Sequence, residues 1–315
     1  MLKSSPLFLL AGILASATHA QQLDSATKWA TGTQTDFVVT PNVLYLKANN
    51  VELHLDLITT SKPSVPQPTV VYIHGGGWLE GTKETALLRM LPYLPRGMNV
   101  INVEYRVAPQ SLAPAAVEDC RCALHWVYDH AAEYGVDTSK IVVVGHSAGG
   151  HLALMTGLLD PSAGFDNGCQ RLSMEWREST IRDVKVAAIV NFYGPTDLPK
   201  LLEGPTVRNF AARWFGALPD RIELAKRLSP VNYVRANSPP VITIMGDKDP
   251  IVPYSQGVAL HEILDRAGVA NQLVTIKGGG HGNAPPFDWT QEQFLEAQTA
   301  VFSFLEKHGV IVPNP

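Results

Sequence analysis

The sequence predicts an α/β fold in which a mostly parallel central sheet carries helices on both faces. Three features of its 315 residues point there: two alternating segments near the start, continuous apolar runs after them, and helical patterns between those runs. A sheet covered on both sides has no solvent face, so its strands read as unbroken apolar stretches rather than alternating ones.

Residues 21–40 are polar and Thr-rich without a clear period and read as an N-terminal arm. Val43–Leu46 and Val51–Ile58 alternate like half-buried strands, the second running Val-Glu-Leu-His-Leu-Asp-Leu-Ile. A Pro-rich stretch, Pro63 to Pro68, separates this hairpin from the first apolar run. The apolar runs are Thr69–Ile73, Asn99–Val103, Lys140–Val144, Val184–Phe192, Val241–Met245 and Gln272–Ile276. Helices fit between and after them at Thr82–Leu94, Pro114–Tyr134, Ala148–Leu158, Ser255–Ala267 and Gln291–His308. Residues 198–238 form the longest insertion between core strands, and their Phe210, Trp214 and Phe215 suggest a small cap. No repeat or low-complexity segment interrupts a single domain over 21–315.

With 45% hydrophobic residues the chain can bury one large core. A net charge of −4 without a Lys/Arg run argues against a nucleic-acid partner, which needs clustered positive charge. Met1–Ala20 reads as a signal peptide: Lys3 gives the positive start, Leu7–Leu14 the apolar region, and Thr18-His19-Ala20 the cleavage site. That apolar region is too short for a membrane core about 30 Å thick, so a secreted or periplasmic protein cleaved near Ala20 is expected, with no stable membrane span. Oligomeric state is not legible. Three cysteines leave at least one thiol unpaired within the chain. Cys120 and Cys122 point to different faces of one expected helix, so Cys169 is available to one of them. Cys120 falls in register with Val117, Leu124 and Val127 as core packing, and a Cys122–Cys169 bridge stays an open question.

The chemistry lies at the ends of the apolar runs. Gly145-His146-Ser147-Ala148-Gly149 sits between the run Ile141–Val144 and a helical segment, the context of a nucleophile elbow. Small neighbours let such a tight turn raise the Ser147 hydroxyl above the sheet edge. A hydroxyl attacks only if a base takes its proton, and His281, on the glycine-rich loop Gly278–Gly282 after the last run, is the candidate. The base needs an acceptor to set its tautomer; Asp249 is chosen from Gly246–Pro253, with Asp247 expected to bond the backbone of its own turn. Donors for a developing oxyanion are expected from the backbone of Gly76 and Gly77 in His74-Gly75-Gly76-Gly77-Trp78, and from Ala148 after the nucleophile. No Gly-Lys-Ser/Thr comes after those glycines, which argues against a phosphate loop. His74, His146 and His151 read as structural, and no cysteine or histidine spacing suggests a metal or other cofactor. Trp78, Trp214 and Phe215 are candidate pocket-lining residues.

With these motifs, the chain from about Val51 to His308 resembles the bacterial acetyl-esterase and lipase branch of the α/β-hydrolases. It is similar to the xylan-associated feruloyl and acetyl esterases and to the hormone-sensitive-lipase group. Tyr105-Arg106-Val107-Ala108-Pro109, Tyr193-Gly194-Pro195-Thr196-Asp197 and the stretch Asp247 to Gln256 add to the likeness. The resemblance implies the nucleophile at Ser147, the acid at Asp249, the base at His281 and oxyanion donors at Gly76 and Gly77. Trp78, where the lipase group often has Phe or Tyr, leans toward the feruloyl and acetyl side. Met245 stands where relatives often carry histidine.

The expected activity is therefore hydrolysis of a short-chain or aryl carboxylic ester, small or polysaccharide-linked, through a serine acyl-enzyme. An amide hydrolase on the same residues and a catalytically dead binding module are the competing readings.

Overall fold

The computed structural model describes residues 25–61, 63–169, 183–203, 207–282 and 289–313. The expected leader, Met1–Ala20, lies outside them. The chain divides into two compact units, Met1–Thr35 and Asp36–Pro315.

The described part of the first unit is helical: α1 spans Ser25–Asp36, where the sequence suggested an irregular arm. It shows no apolar stripe because polar residues occupy all its sides, and its threonines are satisfied locally, the hydroxyls of Thr31 and Thr33 donating to the carbonyls of Thr27 and Trp29 one turn back.

In the second unit an eight-stranded sheet runs in the order β1-β2-β4-β3-β5-β6-β7-β8. Its strands are β1 Phe37–Ala48, β2 Val51–Thr60, β3 Gln67–Ile73, β4 Asn99–Val103, β5 Val136–His146, β6 Ala188–Phe192, β7 Val241–Gly246 and β8 Asn271–Ile276. The pairs β1–β2 and β2–β4 are antiparallel and the others parallel. The β1–β2 hairpin turns through Asn49 and Asn50, both left-handed at φ 50° and 62°, a geometry that asparagine tolerates and a two-residue turn requires. β1 begins well before the expected Val43, reaching back to Phe37 across a register shift between Thr40 and Val43. That irregularity breaks the alternation by which a strand is read. β6 starts at Ala188, later than expected, where its pairing with Val142 of β5 begins.

The strands bury both faces. Val71 and Ile73 of β3 enter one apolar cluster with Leu124, Leu152 and Met155, whereas Val70 and Tyr72 enter another with Val301 and Leu305. Successive residues point to opposite sides of a pleated strand, which is why these runs are apolar throughout.

The helix expected over Thr82–Leu94 is instead three short pieces: a 3-10 turn Lys83–Ala86, the single α-turn α2 Leu87–Met90, and a 3-10 stretch Leu91–Arg96. Pro92 and Pro95 lack the N–H that a continuous helix would use, and Gly97 ends the stretch at φ 70°. Helix α3 covers Ala115–Asp129, stopping short of Tyr134 where both the backbone N–H and Nδ1 of His130 bond the Trp126 carbonyl. Helix α4, Ala148–Leu158, matches expectation. Within 198–238 lie α5 Pro199–Leu202, α6 Asn209–Phe215 and α7 Arg221–Arg227, with α8 Ser255–Arg266 and α9 Gln291–Lys307 beyond. Thr290 caps α9 in a capping box with Gln293.

Cys122 of α3 is disulfide-bonded to Cys169, and Cys120 is a buried free thiol. The pairing left open by the sequence is decided by proximity of the two chain segments, with Cα atoms 4.8 Å apart.

Candidate active site

Ser147 stands between β5 and α4 with φ 56° and ψ −122°, a conformation that a non-glycine residue holds only where its surroundings enforce it. The enforcement is visible. The Ser147 N–H donates to the Phe192 carbonyl (2.8 Å) at the end of β6, and a Cβ on Gly145 would overlap the Gly149 carbonyl. A Cβ on Gly149 would in turn overlap the carbonyls of Ile73 and His74. The glycines flanking the serine are therefore dictated by close backbone approach of α4 to β5 and β3.

Two loops at the same sheet edge complete the site. The loop after β7 carries Asp249 and the loop after β8 carries His281. The Ser147 hydroxyl donates to His281 Nε2 at 2.8 Å, and His281 Nδ1–H donates to Asp249 Oδ2 at 2.7 Å. Asp249 accepts on its other oxygen from the N–H groups of Ile251 (2.8 Å) and Val252 (2.9 Å), so neither oxygen is free to rotate. Both side chains are buried, Asp249 fully and His281 nearly so. All three residues expected from the sequence thus converge in one hydrogen-bonded row.

Asp247 behaves differently from expectation. Rather than its own turn, its Oδ1 accepts from the Gly278 N–H at 2.7 Å, and Lys248 N–H donates to the Gly279 carbonyl at 3.0 Å. The acidic loop is laced to the histidine loop across the β7–β8 pair, a link invisible to local turn chemistry. Two further supports carry no such local signal. Trp289 donates its indole N–H to the Gly280 carbonyl (3.0 Å), and Tyr193, at φ 44°, sets its ring 4.5 Å from the His281 ring. Tyr193 is visible in the sequence as part of the motif Tyr193–Asp197, but nothing in that motif implies a histidine neighbour.

The glycine loop after β3 closes on itself. Gly76 lies at φ 121°, its carbonyl accepts from Leu79 (3.0 Å) and Glu80 (3.2 Å), and a Cβ there would overlap the Glu80 carbonyl. Gly76 and Gly77 border an open cleft of about 770 Å³ together with Ser147 and His281. Ala148 opens α4, so its N–H belongs to the donors that a helix start leaves without an intrahelical partner.

The aromatic residues expected in the pocket need correction. Trp78, Trp214 and Phe215 are fully buried and none borders the cleft. Trp78 stacks on Trp214 at 4.3 Å and donates its N–H to His151 Nδ1 at 3.2 Å, so the pair packs the insertion against the core. Being large and apolar they are drawn inward, and among the described residues Phe210, Tyr72 and Tyr193 border the cleft instead.

The three histidines read as structural from the sequence, His74, His146 and His151, are all buried and bonded or stacked within the fold. His151 accepts from Trp78 and donates from Nε2 to the Leu228 carbonyl (2.7 Å). His146 stacks on Phe192 at 4.1 Å with Nδ1 2.8 Å from the Tyr72 hydroxyl, and burial pushes its pKa down. His74 stacks on Tyr105 at 4.2 Å and donates from Nδ1 to the Gly75 carbonyl. Among the described residues one cluster of possible metal donors occurs, His125, Asp166 and Cys169. It is already committed, since Cys169 is in the disulfide and Asp166 holds Arg121 with both oxygens at 2.6 Å.

Burial lowers both His74 and His151 from 6.5 to about 4. An unfolded chain takes up these protons near 6.5 and the folded chain only near 4, so stability is full above 6.5 and is lost as pH falls toward 4. Each histidine is expected to remove about 1.4 kcal/mol per pH unit across that window, read as a falling urea midpoint. A midpoint independent of pH over the same range contradicts the buried, neutral state of these rings.

An eight-stranded, mostly parallel sheet with the serine at a strand-to-helix elbow and the histidine and acid on two later loops defines an α/β-hydrolase of the esterase branch. More narrowly, the chain belongs to the BD-FAE family, whose model matches residues 55–264. Among proteins of known activity it is similar to the ethyl acetate hydrolase of Pseudomonas putida, 32% identical over 70% of this chain and 67% of that one. The structure is similar to the esterase Est2 of the Planctomycetes species Thermogutta terrifontis, with TM-score 0.70, 28% identity, and 89% and 95% of the two chains covered. Est2 is also known phosphonylated by cyclosarin and phosphorylated by paraoxon. A truncated carbohydrate esterase from gut microbiota aligns with TM-score 0.68 and 25% identity over 88% of this chain and 98% of that one. The chain spans about half the length of several other curated esterases it matches, 48% to 54%. No helix among the described residues is long and apolar enough to cross a membrane.

Proposed function

We propose that this chain is a carboxylic-ester hydrolase working through an acyl-enzyme on Ser147, with short-chain or aryl acyl esters as substrates. The reading rests on the row from Ser147 Oγ through His281 to Asp249 at the floor of an open cleft. His281 takes the Ser147 proton as the oxygen attacks the ester carbonyl, and the N–H groups of Gly76, Gly77 and Ala148 receive the oxyanion. His281 then gives its proton to the leaving alcohol, and water releases the acid by the same sequence. Asp249 stabilises the imidazolium and keeps the Nε2 lone pair aimed at the serine.

Acetyl or feruloyl groups on polysaccharide are the natural substrates we favour, supported by the likeness to a carbohydrate esterase and by the family. Export by the Met1–Ala20 leader, with residues 198–238 acting as a small cap, completes the proposal. The test combines a fluorophosphonate label with a substrate series. The label is expected on Ser147 and not on the Ser147→Ala variant, with acetyl and feruloyl esters turned over faster than N-formyl amides. An unlabelled wild-type protein points to a binding module, and faster amide cleavage to an amidase.

A further inference from the structure

The cleft carries positive charge that the proposed chemistry does not use. Arg89 on α2 is half-buried and Arg213 on α6 is exposed, and both border the cleft that holds Ser147 and His281. Three of the more buried arginines elsewhere hold a carboxylate, Arg96 with Glu306, Arg106 with Asp119 and Arg121 with Asp166, while the half-buried Arg208 donates to the Ile251 carbonyl at 2.9 Å. Among the described residues Arg89 and Arg213 form no such pair. The partner of Arg89 is the Tyr193 hydroxyl, which accepts from Nη1 at 3.2 Å. A guanidinium has five N–H donors, so most of its capacity is left over. Among the described residues Glu80 is the only carboxylate bordering the cleft and it is exposed, whereas His74 and His146 there are held neutral by burial.

Half-buried, Arg89 has lost part of its hydration, and its Tyr193 partner brings no counter-charge in return. At the wall of a cleft, that deficit is met by a ligand. Guanidinium matches a carboxylate in shape and charge, and two forks on one cleft outweigh the single glutamate. Leu79, Phe210 and Ile251 supply apolar wall beside them, suited to an alkyl or aryl body.

We infer that the cleft selects esters bearing a second, ionised carboxylate on the acyl or the alcohol part, held by Arg89 and Arg213. This rests on the ester-hydrolase reading above for its location beside the reacting bond. The preferred members of that substrate class are then a half-ester of a dicarboxylic acid or an ester of an acid-bearing alcohol, a uronic-acid-bearing saccharide included, cleaved faster than their neutral counterparts.

Two matched pairs test it: 4-acetoxybenzoate against 4-acetoxybenzamide for charge on the alcohol side, and mono-p-nitrophenyl glutarate against p-nitrophenyl 5-methylhexanoate for charge on the acyl side. The anionic-to-neutral ratio of kcat/KM is expected to fall about tenfold in Arg89→Gln and in Arg213→Gln for at least one pair. In the wild type the same ratio is expected to decline as salt rises. An unchanged ratio in both variants, with neutral esters still hydrolysed, overturns the inference and leaves the ester-hydrolase reading standing. Calorimetry on Ser147→Ala removes the dependence on turnover. Binding of 4-acetoxybenzoate about tenfold tighter than of the amide supports the anion site even if no ester is cleaved, and equal affinities overturn it.

Discussion

Replacing Ser147 with alanine is expected to lower kcat/KM for p-nitrophenyl acetate by about 10⁵-fold or more, the scale seen when a serine nucleophile is removed from an intact triad. The loss comes from chemistry and not from folding. Alanine at φ 56° carries about the strain that serine does, and the N–H bond to Phe192 that fixes the turn involves only backbone. The oxyanion donors stay in place, so a small residual rate over water remains. The measurement is steady-state hydrolysis alongside a thermal melt of the same preparation. Activity within tenfold of wild type removes Ser147 from its role, because no other hydroxyl is hydrogen-bonded to His281 among the described residues.

Asp249→Asn is expected to cost about 10⁴-fold in kcat with little change in unfolding temperature. Hydrogen-bond polarity is the reason. Asp249 Oδ1 accepts from Ile251 and Val252, and an asparagine carbonyl placed there keeps both bonds. Its NH₂ group then faces His281 Nδ1, where the carboxylate formerly accepted. A donor in that position forces Nδ1 to accept and puts the ring proton on Nε2, which can no longer take the serine proton. Asp247→Asn makes the contrast, since its carbonyl can still accept from Gly278 N–H. A far smaller loss is expected there. Equal losses in the two variants contradict the assignment of Asp249 as the orienting acid.

The fold was legible where the pattern is local. β4 and α4 run between the residues read from apolar continuity, and β3, β5, β7 and β8 overlap the runs closely. The misreadings have physical causes. The helix α1 has no apolar stripe to betray it, and the segment Thr82–Leu94 has the composition of a helix but two prolines, Pro92 within it and Pro95 just beyond, that fragment it. At the site, Ser147, Asp249 and His281 stood out because tight turns leave a glycine signature. Phe210 and Arg89 carry no such signature, and only the packing of α6 and α2 beside the glycine loop brings them to the cleft.

From the order of residues alone came the class of fold, the serine elbow, the histidine loop and the acid between them, because each depends on chain neighbours within a single turn. Tertiary structure decided the rest: which cysteine pairs with Cys169, that Asp247 braces the histidine loop, that Trp78 and Trp214 pack inside rather than line the cleft, and that two arginines border it with no carboxylate paired to them among the described residues. The division has one physical origin. Backbone conformation answers to local sterics, whereas burial and charge pairing answer to segments far apart in sequence, and their partners exist only once the sheet has assembled.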